Sequence, residues 1–353
     1  MKILTVVGAR PQFVKAAAVS RVLREKHTEV LVHTGQHYDE TMSQVFFREL
    51  GIPEPDYNLE VGSAGHAAQT GEMLIRMEPI FEKEKPDWAL VYGDTNSTLA
   101  GALVASKLHI PVAHVEAGLR SFNRGMPEEI NRVLTDHVSH LLFCPAQKAA
   151  DNLKLEGVTS GAHIVGDVMY DAVLRHSEMA DKKSTILDSL GLGAKQYLLA
   201  TVHRAANVDD TATLLNILET LSLLSETVVF PVHPRTRKAI QAAGFSPGEN
   251  VKLIEPVGYL DMLRLEKNAR MILTDSGGVQ KEAYWFGTPC VTLREETEWV
   301  ETVEAGWNVI VGADRGRILN AVRTFAPPSP RPNLFGDGNA SQNIVRLLES
   351  ETR

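Results

Sequence analysis

Short apolar runs separated by longer mixed segments dominate the pattern of hydrophobic and polar positions along this chain. The runs are rich in β-branched residues and apolar on both faces, which is typical of parallel strands covered by helices on both sides. The runs lie at 3–7, 29–33, 88–92, 112–115 and 141–144 in the first half, and at 197–201, 227–231, 251–254, 271–273, 290–293 and 308–311 in the second. Their alternation with helical segments predicts an α/β protein with two Rossmann-like, doubly wound halves.

Two breaks in this pattern divide the chain. A polar segment at 181–195 follows the stretch 166–171, after which we place the boundary between the halves. A proline-rich stretch at 327–332 then separates the second half from a last helix over 340–349. We therefore expect an N-terminal Rossmann-like domain over 1–170, a C-terminal Rossmann-like domain over 171–335 and a terminal helical segment over 336–353.

Composition is that of an ordinary globular protein with room for a sizeable core: 353 residues, of which 44% are hydrophobic and 23% charged. The net charge of −8 argues against general nucleic-acid binding, so an anionic ligand must be held by local basic groups. Cys144 and Cys290 lie in or beside apolar runs and are expected to be buried free thiols. We expect no signal peptide and no membrane-spanning segment, and therefore a cytoplasmic protein.

A strand followed directly by a glycine-rich turn and a helix marks the stretch 271–282. The Ser-Gly-Gly turn at 276–278 would present free backbone N–H groups at a helix N-terminus, where the helix dipole favours a phosphate or diphosphate. Glu282 lies one helical turn beyond, so it can face the same ligand and accept hydrogen bonds from sugar hydroxyls. The alternative is an ordinary strand–helix connection with Asp275 as N-cap, because so short a motif is weakly specific.

Ligands of open α/β sheets bind beyond the carboxyl ends of the strands, so the polar residues there are the candidates for a site. Arg10 and Lys15 follow the first strand, and both can reach a phosphate or a developing anion. A role as surface charges is the alternative, and it suits Lys15 better than Arg10. His37 follows the second strand, where capping or support is the more natural role.

Three carboxylates stand at strand ends or helix starts in the first half. Asp94 and Glu116 follow neighbouring strands, and Glu128 opens a helix behind Pro127. Like charges held close together raise each other's pKa, which suits acid–base chemistry. A metal site is the rival hypothesis, and we discount it because no histidine or further carboxylate stands beside them at ligand spacing. A cap or first-turn role is credible for each residue alone, but their joint placement favours catalysis.

Two histidines occupy corresponding strand ends in the second half. His203 and Arg204 follow one strand and could bind a diphosphate, and His233 follows the next. The loop after the strand at 251–254 has free backbone groups suited to a flat base. The chain has no Walker lysine motif, no Gly-x-Gly-x-x-Gly after the first strand and no Gly-x-Ser-x-Gly elbow, which weakens the ATPase and dehydrogenase hypotheses.

Taken in order, these residues resemble the motifs of the non-hydrolysing UDP-N-acetylglucosamine 2-epimerase family. The motifs are Gly-Ala-Arg-Pro at 8–11, Gly-Asp-Thr at 93–95, His-Val-Glu-Ala-Gly-Leu-Arg at 114–120, Pro-Glu-Glu-Ile-Asn-Arg at 127–132, His-Arg at 203–204, Pro-Val-His-Pro at 231–234 and Thr-Asp-Ser-Gly-Gly-Val-Gln-Lys-Glu at 274–282. Together they are highly specific, and the resemblance covers nearly the whole chain.

The resemblance implies two Rossmann-like domains facing across a cleft, as in the GT-B glycosyltransferase superfold, with the last helix crossing back to the first domain. It implies a homodimer whose partners are a UDP-sugar and UDP, with no nicotinamide, other cofactor or metal. The implied reaction interconverts UDP-GlcNAc and UDP-ManNAc, as a step serving polysaccharide biosynthesis. UDP leaves C1 as the C2 proton is removed, giving a 2-acetamidoglycal, and then adds back with protonation of the other face of C2.

The resemblance also implies roles for residues. The catalytic carboxylates would be Asp94, Glu116 and Glu128, with no assignment of the one that takes the C2 proton. The departing diphosphate would be stabilised by His203, Arg10 and Lys15. The other substrate-binding residues would be Arg204, His233, Ser276, Gly277, Gly278 and Arg294, with Glu282 at the ribose and the loop from Val257 to Met262 at the uracil.

The chain departs from the family pattern at several positions. Ala206 stands where family members commonly carry Glu, and 299–300 is Trp-Val where bacterial enzymes often continue with Arg-Pro. The stretch 35–38 lacks the basic residue of some regulated members, so we do not expect allosteric activation by substrate. The stretches 11–13 and 297–299 are similar to a subgroup that includes enzymes acting on UDP-2,3-diacetamido-2,3-dideoxyglucuronate, which is the alternative substrate. A glycosyltransferase of the same superfold and a non-catalytic nucleotide-sugar sensor are the further alternatives.

Overall fold

Strands and helices alternate along the chain in the computed structural model, which describes residues 1–35 and 54–352 except for the side chains of Arg10 and Pro11. The first elements are β1 (Lys2–Val7), α1 (Arg10–Leu23), β2 (Thr28–His33), β3 (Tyr57–Asn58), α2 (His66–Glu84), β4 (Trp88–Tyr92), α3 (Asn96–Lys107), β5 (Val112–Val115), α4 (Pro127–Val138), β6 (Leu141–Cys144), α5 (Gln147–Leu155), β7 (Ala162–Ile164) and α6 (Val168–Lys183).

The second half continues the alternation. Its elements are α7 (Ile186–Leu190), β8 (Tyr197–Thr201), α8 (Ala205–Val208), α9 (Thr211–Ser222), β9 (Thr227–Pro231), α10 (Pro234–Ala242), β10 (Val251–Ile254), α11 (Tyr259–Asn268), β11 (Met271–Thr274), α12 (Gly277–Phe286), β12 (Cys290–Thr292), α13 (Val300–Glu304), β13 (Asn308–Ile310), α14 (Arg315–Thr324) and α15 (Ala340–Glu351).

Strands β1 to β7 form one sheet in the order β3-β2-β1-β4-β5-β6-β7, and every pairing in it is parallel. The residues from Ile3 to Val7 are fully buried, as expected of a strand covered by helices on both faces. The order of the strands reverses between β1 and β4. The carboxyl ends of these two strands therefore flank the switch point at which open α/β sheets bind ligands.

Strands β8 to β13 form a second sheet in the order β10-β9-β8-β11-β12-β13, and it too is wholly parallel. Its order reverses between β8 and β11. The loop that follows β8 and the turn that follows β11 therefore stand side by side at the carboxyl edge. A core of apolar residues from β8, β9, β11, α9 and α14 covers one face of this sheet.

Contacts divide the chain into two compact units, one formed by Met1–Leu174 with Asn333–Arg353 and the other by Arg175–Pro332. Helix α15 comes last in the chain but belongs to the first unit, where it packs on α1. His27 Nε2 lies 2.9 Å from Glu349 Oε1, and Trp88 Nε1 donates to Thr352 Oγ1 at 2.8 Å. The predicted boundaries at 170 and 335 stand close to these divisions, and the roles assigned to the domains remain predictions.

The doubly wound α/β fold predicted from the apolar runs is confirmed. Strands β3 and β7 were not predicted, because they are only two and three residues long and too short to show a periodic pattern. None of the helices in the described part of the chain is both long enough and apolar enough to cross a membrane.

Candidate active site

Gln12 holds the turn between β1 and α1 against the turn that follows β4. Its Oε1 accepts hydrogen bonds from the backbone N–H of Gly8 at 2.8 Å and of Ala9 at 2.9 Å. Its Nε2 donates to the carbonyl of Tyr92 at 2.7 Å. Because this buried amide is satisfied on both sides, it fixes the two turns to each other. The start of α1, and with it the position of Lys15, is therefore set by the neighbouring strand.

Lys15 and Glu116 form an ion pair at the carboxyl edge of the first sheet. Their side chains are only 11% and 13% exposed, so solvent screens the pair weakly. Burial acts to lower the pKa of Lys15, but the charge and hydrogen bond of Glu116, with the charges of Asp94 and Asp167, outweigh it and raise that pKa. Loss of one partner would leave a nearly buried, unpaired charge, which typically costs about 3–5 kcal/mol. Lys15 is therefore a fixed cation beside Glu116.

The backbone of Glu116 is strained. Its φ of 70° lies in the left-handed region, where a non-glycine residue costs about 1–3 kcal/mol and persists only when its surroundings enforce it. Gly93, on the turn after the neighbouring strand, also has a left-handed backbone, with a φ of 65°, and lies next to the pair. A Cβ there would lie 3.4 Å from Glu116 Oε2 and 3.7 Å from Lys15 Nζ. Strain of this kind at a strand end is typical of a functional site.

Asp94 pairs with a cation of its own, Arg132 on α4. Arg132 also donates to Glu129 Oε2 at 2.8 Å. Glu129 is 2% exposed and accepts a hydrogen bond from the backbone N–H of Ser121 at 2.9 Å. Burial acts to lower the pKa of Arg132, but the charges of Asp94, Glu129 and Glu116 outweigh it and raise that pKa. The buried carboxylate of Glu129 therefore holds Arg132 in position for its ion pair with Asp94.

Asp94 and Glu116 each pair with a cation of their own, Arg132 and Lys15 respectively. The acid–base role predicted for these carboxylates from their mutual repulsion remains a prediction. The structure brings Lys15, Glu116, Asp94 and Arg132 together at one edge. Glu128 lies exposed in the first turn of α4, one residue before the buried Glu129.

A buried network behind this edge was not found from the sequence. His114 has no exposed surface; its Nδ1 lies 2.7 Å from Asp136 Oδ1 and its Nε2 lies 2.7 Å from the carbonyl oxygen of Gly93. Arg120 donates to Asp136 Oδ2 at 2.7 Å. Burial acts to raise the pKa of Asp136, but the contacts of His114 and Arg120 outweigh it and lower that pKa. His114 lies on β5 and Glu116 follows it two residues later. Because residues two apart on a strand point to the same face, this spacing was the signal from which the network could have been predicted.

Asp275 organises the carboxyl edge of the second sheet. Its carboxylate is fully buried and accepts hydrogen bonds from the backbone N–H of His203 and of Arg204, both at 2.9 Å, and from Asn207 Nδ2 at 3.1 Å. His203 Nδ1 lies 3.1 Å from Asp275 Oδ1. Burial acts to raise the pKa of Asp275, but the hydrogen bonds from His203 and Arg204 outweigh it and lower that pKa. One carboxylate therefore holds the loop that carries both predicted phosphate ligands.

Ser276, and not Asp275, caps helix α12. The side-chain oxygen of Ser276 accepts from the backbone N–H of Val279 at 3.5 Å. The alternative interpretation that made Asp275 the N-cap is wrong, because its carboxylate is engaged by the loop after β8. Helix α12 then begins at Gly277 with Gly278 behind it. Its first turn has the free N–H groups of any helix start.

Charged side chains surround the start of α12. A Cβ on Gly277 would lie 3.4 Å from both Glu298 Oε2 and Trp299 Nε1, and 3.9 Å from Arg204 Nη2. Arg294 donates to Glu298 at 2.8 Å. Burial acts to raise the pKa of Glu298, but the hydrogen bond and charge of Arg294 and the charge of Arg204 outweigh it and lower that pKa. Near the start of α12, the positive charges of Arg204 and Arg294 and the positive end of the helix dipole outweigh the negative charge of Glu298. This position is therefore suited to an anion.

His233 stands beside His203, with their ring centroids 6.0 Å apart. Its Nδ1 accepts from the backbone N–H of Arg235 at 3.2 Å and so caps α10. Burial, and then the charges of His203 and Arg235, lower the pKa of His233. The two histidines predicted at strand ends therefore lie side by side, and one ring nitrogen of His233 is used for the cap.

The loop after β10 carries Val257 and leads into α11, where Met262 lies. Both side chains are partly buried and pack against an apolar cluster that includes Leu199 and Ile272. They are therefore part of the core beneath the loop. Only the loop backbone remains as the candidate for contact with a flat base.

Glu282 lies half-buried on α12, within hydrogen-bonding reach of the fully buried Glu266 on α11. Lys281 is 4% exposed, with its Nζ 4.1 Å from the ring centroid of Trp299 and 5.1 Å from that of Trp285. Neither the burial of Glu266 beside Glu282 nor the packing of Lys281 on the two tryptophans was predicted. In the sequence, both residues look like ordinary charged residues of a helix.

Two candidate positions cannot be placed. The side chain of Arg10 and the whole of His37 lie outside the described residues. Within the described part of the chain, no group of three or more His, Cys, Asp and Glu side chains is arranged to hold a metal ion.

Comparison with known proteins gives concordant matches over nearly the whole chain. The family model described as UDP-N-acetylglucosamine 2-epimerase matches residues 21–349. A protein of Methanococcus maripaludis named UDP-N-acetylglucosamine 2-epimerase homolog is 56% identical, covering 99% of this chain and 100% of its own. The UDP-2,3-diacetamido-2,3-dideoxy-D-glucuronate 2-epimerase of Pseudomonas aeruginosa is 52% identical, covering 99% of each chain.

Solved structures agree with these matches. The crystal structure of Methanocaldococcus jannaschii UDP-GlcNAc 2-epimerase in complex with UDP-GlcNAc and UDP has a TM-score of 0.85 and 45% identity, covering 99% of this chain and 100% of that one. The calicheamicin glycosyltransferase has a TM-score of 0.59 at 13% identity, covering 99% and 94%. The second match bears on the fold alone and places it among the GT-B folds.

Two parallel sheets of Rossmann type, with charged side chains at their carboxyl edges, define an α/β enzyme of the GT-B fold class. Within this class, the chain belongs to the UDP-N-acetylglucosamine 2-epimerase family. The family predicted from the sequence motifs is thereby confirmed.

The role of Asp275 can be tested by Asp275→Asn. The amide cannot accept from every N–H group that meets the carboxylate, so we expect the free energy of unfolding at pH 7 to fall by about 2–4 kcal/mol. A carboxyl whose pKa is lowered on folding stabilises the protein above its unfolded value and loses this effect as pH falls. The deficit of the variant should therefore shrink below about pH 4. Denaturant unfolding across this pH range measures it.

The matched control is Asp209→Asn, which removes a carboxylate 57% exposed and paired with Arg235 on the surface. Such a pair is worth about 0–1 kcal/mol. An Asp275→Asn protein as stable as this control would contradict the role given to Asp275.

Proposed function

We propose that this chain is a UDP-N-acetylglucosamine 2-epimerase that interconverts UDP-GlcNAc and UDP-ManNAc in the cytoplasm. The observation that carries the proposal is the edge at which Lys15 pairs with Glu116 and Asp94 pairs with Arg132. A carboxylate placed beside a fixed cation can accept a proton as a base and return it as an acid. Family membership gives this chemistry its substrate class.

The reaction begins with loss of the C2 proton of the sugar to a carboxylate. The electrons of the C2–H bond form the C1–C2 double bond, and the C1–O bond breaks with its electron pair leaving on UDP. The products are UDP and a 2-acetamidoglycal. UDP then adds back to C1 while a proton is delivered to the opposite face of C2, so the sugar is inverted there with no net change in composition.

The catalytic carboxylates in this proposal are Asp94, Glu116 and Glu128. One face of C2 loses a proton to a base, and the opposite face receives a proton from an acid. At least two acid–base groups therefore take part, one on each face. Glu116 is supported by its strained backbone and its pairing with Lys15, and Asp94 by its pairing with Arg132. Glu128 is supported by its exposed position in the first turn of α4. We assign the C2 proton to no single one of them.

The second unit holds the nucleotide in this proposal. Charge builds up on the diphosphate as it leaves, so donors placed there in advance stabilise the transition state. His203, Arg204 and Arg294 lie in the loops around the start of α12. The proposed ligands are His203, Arg204, His233, Ser276, Gly277, Gly278 and Arg294 at the diphosphate, Glu282 at the ribose and the Val257–Met262 loop at the uracil, with Arg10 and Lys15 contributing from the first unit.

A second substrate has specific support. The 52% identical Pseudomonas aeruginosa relative is named for UDP-2,3-diacetamido-2,3-dideoxy-D-glucuronate. Trp299 stands near the start of α12, against Lys281, where bacterial UDP-GlcNAc enzymes often carry arginine. The diacetamido-uronate is therefore the alternative substrate for the same reaction.

Incubation with UDP-GlcNAc in deuterated water tests the function. We expect deuterium at C2 and formation of the manno epimer, both followed by NMR. Asp94→Asn removes the charge that faces Arg132 and should reduce exchange by at least about 100-fold, because a positioned acid–base group contributes that much. UDP binding, measured by calorimetry, should persist.

The matched control for this experiment is Asp151→Asn, an exposed carboxylate in the same unit. It should exchange at the wild-type rate. Retained turnover in Asp94→Asn would remove Asp94 from the mechanism. Absence of exchange with both UDP-GlcNAc and the diacetamido-uronate would contradict the proposed function, and faster exchange with the latter would establish the alternative substrate.

We also propose that the protein is a homodimer joined through α4. Phe122, Met126, Ile130 and Leu134 recur every four residues and are 71%, 38%, 48% and 46% exposed. Ile130 and Leu134 lie four residues apart on one side of α4, and Phe122 and Met126 lie in the segment that leads into this helix. A group of large exposed apolar side chains on a protein surface is typical of an interface.

The oligomeric state tests this surface. Sedimentation should give a dimer for the wild type and a monomer for the double variant Ile130→Glu with Leu134→Glu, because charges within an apolar interface lose their water. Leu155→Glu changes a leucine that is 82% exposed elsewhere in the unit and should remain dimeric. A monomeric wild type, or a dimeric double variant, would contradict the proposal.

A further inference from the structure

Two carboxyl groups of the second unit, those of Glu266 and Glu282, lie within hydrogen-bonding reach of each other. Glu266 projects from α11 and has no exposed surface. Among the described residues, no N–H or O–H group donates to either carboxyl oxygen of Glu266. The partner available to this buried acid is therefore the second acid, Glu282 on α12.

A shared proton resolves this arrangement. A bare carboxylate at Glu266 would have lost its hydrating water without gaining a donor, and it would face a second negative charge. A proton held between the groups removes the repulsion and supplies the missing hydrogen bond. Burial and the charge of Glu282 raise the pKa of Glu266 well above its ordinary value. Burial also raises the pKa of Glu282, while the hydrogen bond from Glu266 and the charge of Lys281 act against that rise.

We propose that Glu266 is a positioning residue that donates this shared proton to Glu282 and holds its carboxylate in the orientation that binds the ribose hydroxyls of UDP. This inference rests on the proposed function, which gives Glu282 its ribose contact. One oxygen of Glu282 is engaged by Glu266, which leaves the other to accept from the ribose. A pre-oriented acceptor loses less conformational freedom when the ligand binds.

The core itself does not require an acid at this position. Leu263 and Leu265 of the same helix are fully buried, and an apolar side chain in place of a buried ionisable group is often neutral or stabilising. Glu266→Leu should therefore fold. A purely structural role would leave nucleotide binding unchanged in that variant.

Other titratable and charged groups interact with the pair from three elements: Lys281 on α12, Tyr197 on β8 and Cys290 on β12. Burial raises the pKa of the Cys290 thiol to about 12 and raises the pKa of Tyr197 above its ordinary value. Neither group titrates near neutral pH. A change of UDP affinity with pH that disappears when Glu266 is substituted therefore reports the titration of the acid pair.

Calorimetric titration with UDP and with 2′,3′-dideoxy-UDP tests the proposal. Glu266→Leu should weaken UDP binding about 5–10-fold, the loss of roughly one hydrogen bond, and leave binding of the dideoxy compound unchanged. Glu266→Gln places an amide donor against Glu282 and should keep UDP affinity within about twofold. Glu249→Gln, an exposed carboxylate before β10, is the control and should match the wild type.

The pH profile adds a readout that packing alone would not move. Once pH rises above the raised pKa of Glu266, the acid pair of the wild type loses its shared proton, the two charges repel, and UDP affinity should fall. Glu266→Gln has no such proton to lose, so its UDP affinity should stay level over the same range.

The outcomes separate the possibilities. Wild-type UDP affinity in Glu266→Leu, or equal losses for UDP and dideoxy-UDP, would overturn the role of Glu266. If Glu266→Leu fails to fold, Glu266→Gln decides, and a wild-type pH profile in that variant would overturn the proposal. Failure of the proposed function would appear differently, as a wild-type protein that neither binds UDP nor exchanges the C2 proton.

Discussion

The ion pair between Lys15 and Glu116 is the interaction on which the first unit depends. It joins the helix after β1 to the exit of β5 across a position shielded from water, where an unpaired charge would cost several kcal/mol. The strained backbone of Glu116 and the left-handed turn at Gly93, with a φ of 65°, both lie beside this pair. Gln12 keeps the two sides in register by fastening the turn after β1 to β4.

The same constraint recurs at two other carboxylates that are withdrawn from water, Asp275 and Glu129. Asp275 is satisfied by backbone N–H groups and thereby shapes the loop of His203 and Arg204. Glu129 is satisfied by Arg132 and a backbone N–H group and braces the pair of Arg132 with Asp94. Each of these two buried charges holds in place a neighbouring group that faces the ligand in the proposed function. The hydrogen bonds and ion pairs that stabilise these buried carboxylates also position the groups that face the ligand.

The sequence predicted the sheets and the edges at which Lys15, Asp94 and Glu116 stand, because apolar runs locate strands and ligands gather at strand ends. It did not predict which charges meet. Arg132 is 38 residues from Asp94 along the chain, and their contact depends on how α4 lies against β4. Glu266 was missed for the same reason, since its burial follows from the packing of α11 on α12. Such pairings belong to tertiary structure and leave no local pattern.

The central claim is that this chain breaks the C1–O bond of a UDP-sugar in the course of inverting C2. Positional isotope exchange tests it directly, with UDP-GlcNAc carrying ¹⁸O in the bridge between C1 and the β-phosphorus. If UDP departs, its β-phosphate rotates before re-addition, and ¹⁸O should appear in the non-bridging positions as C2 gains deuterium. Incorporation of deuterium with all the ¹⁸O retained in the bridge would contradict elimination.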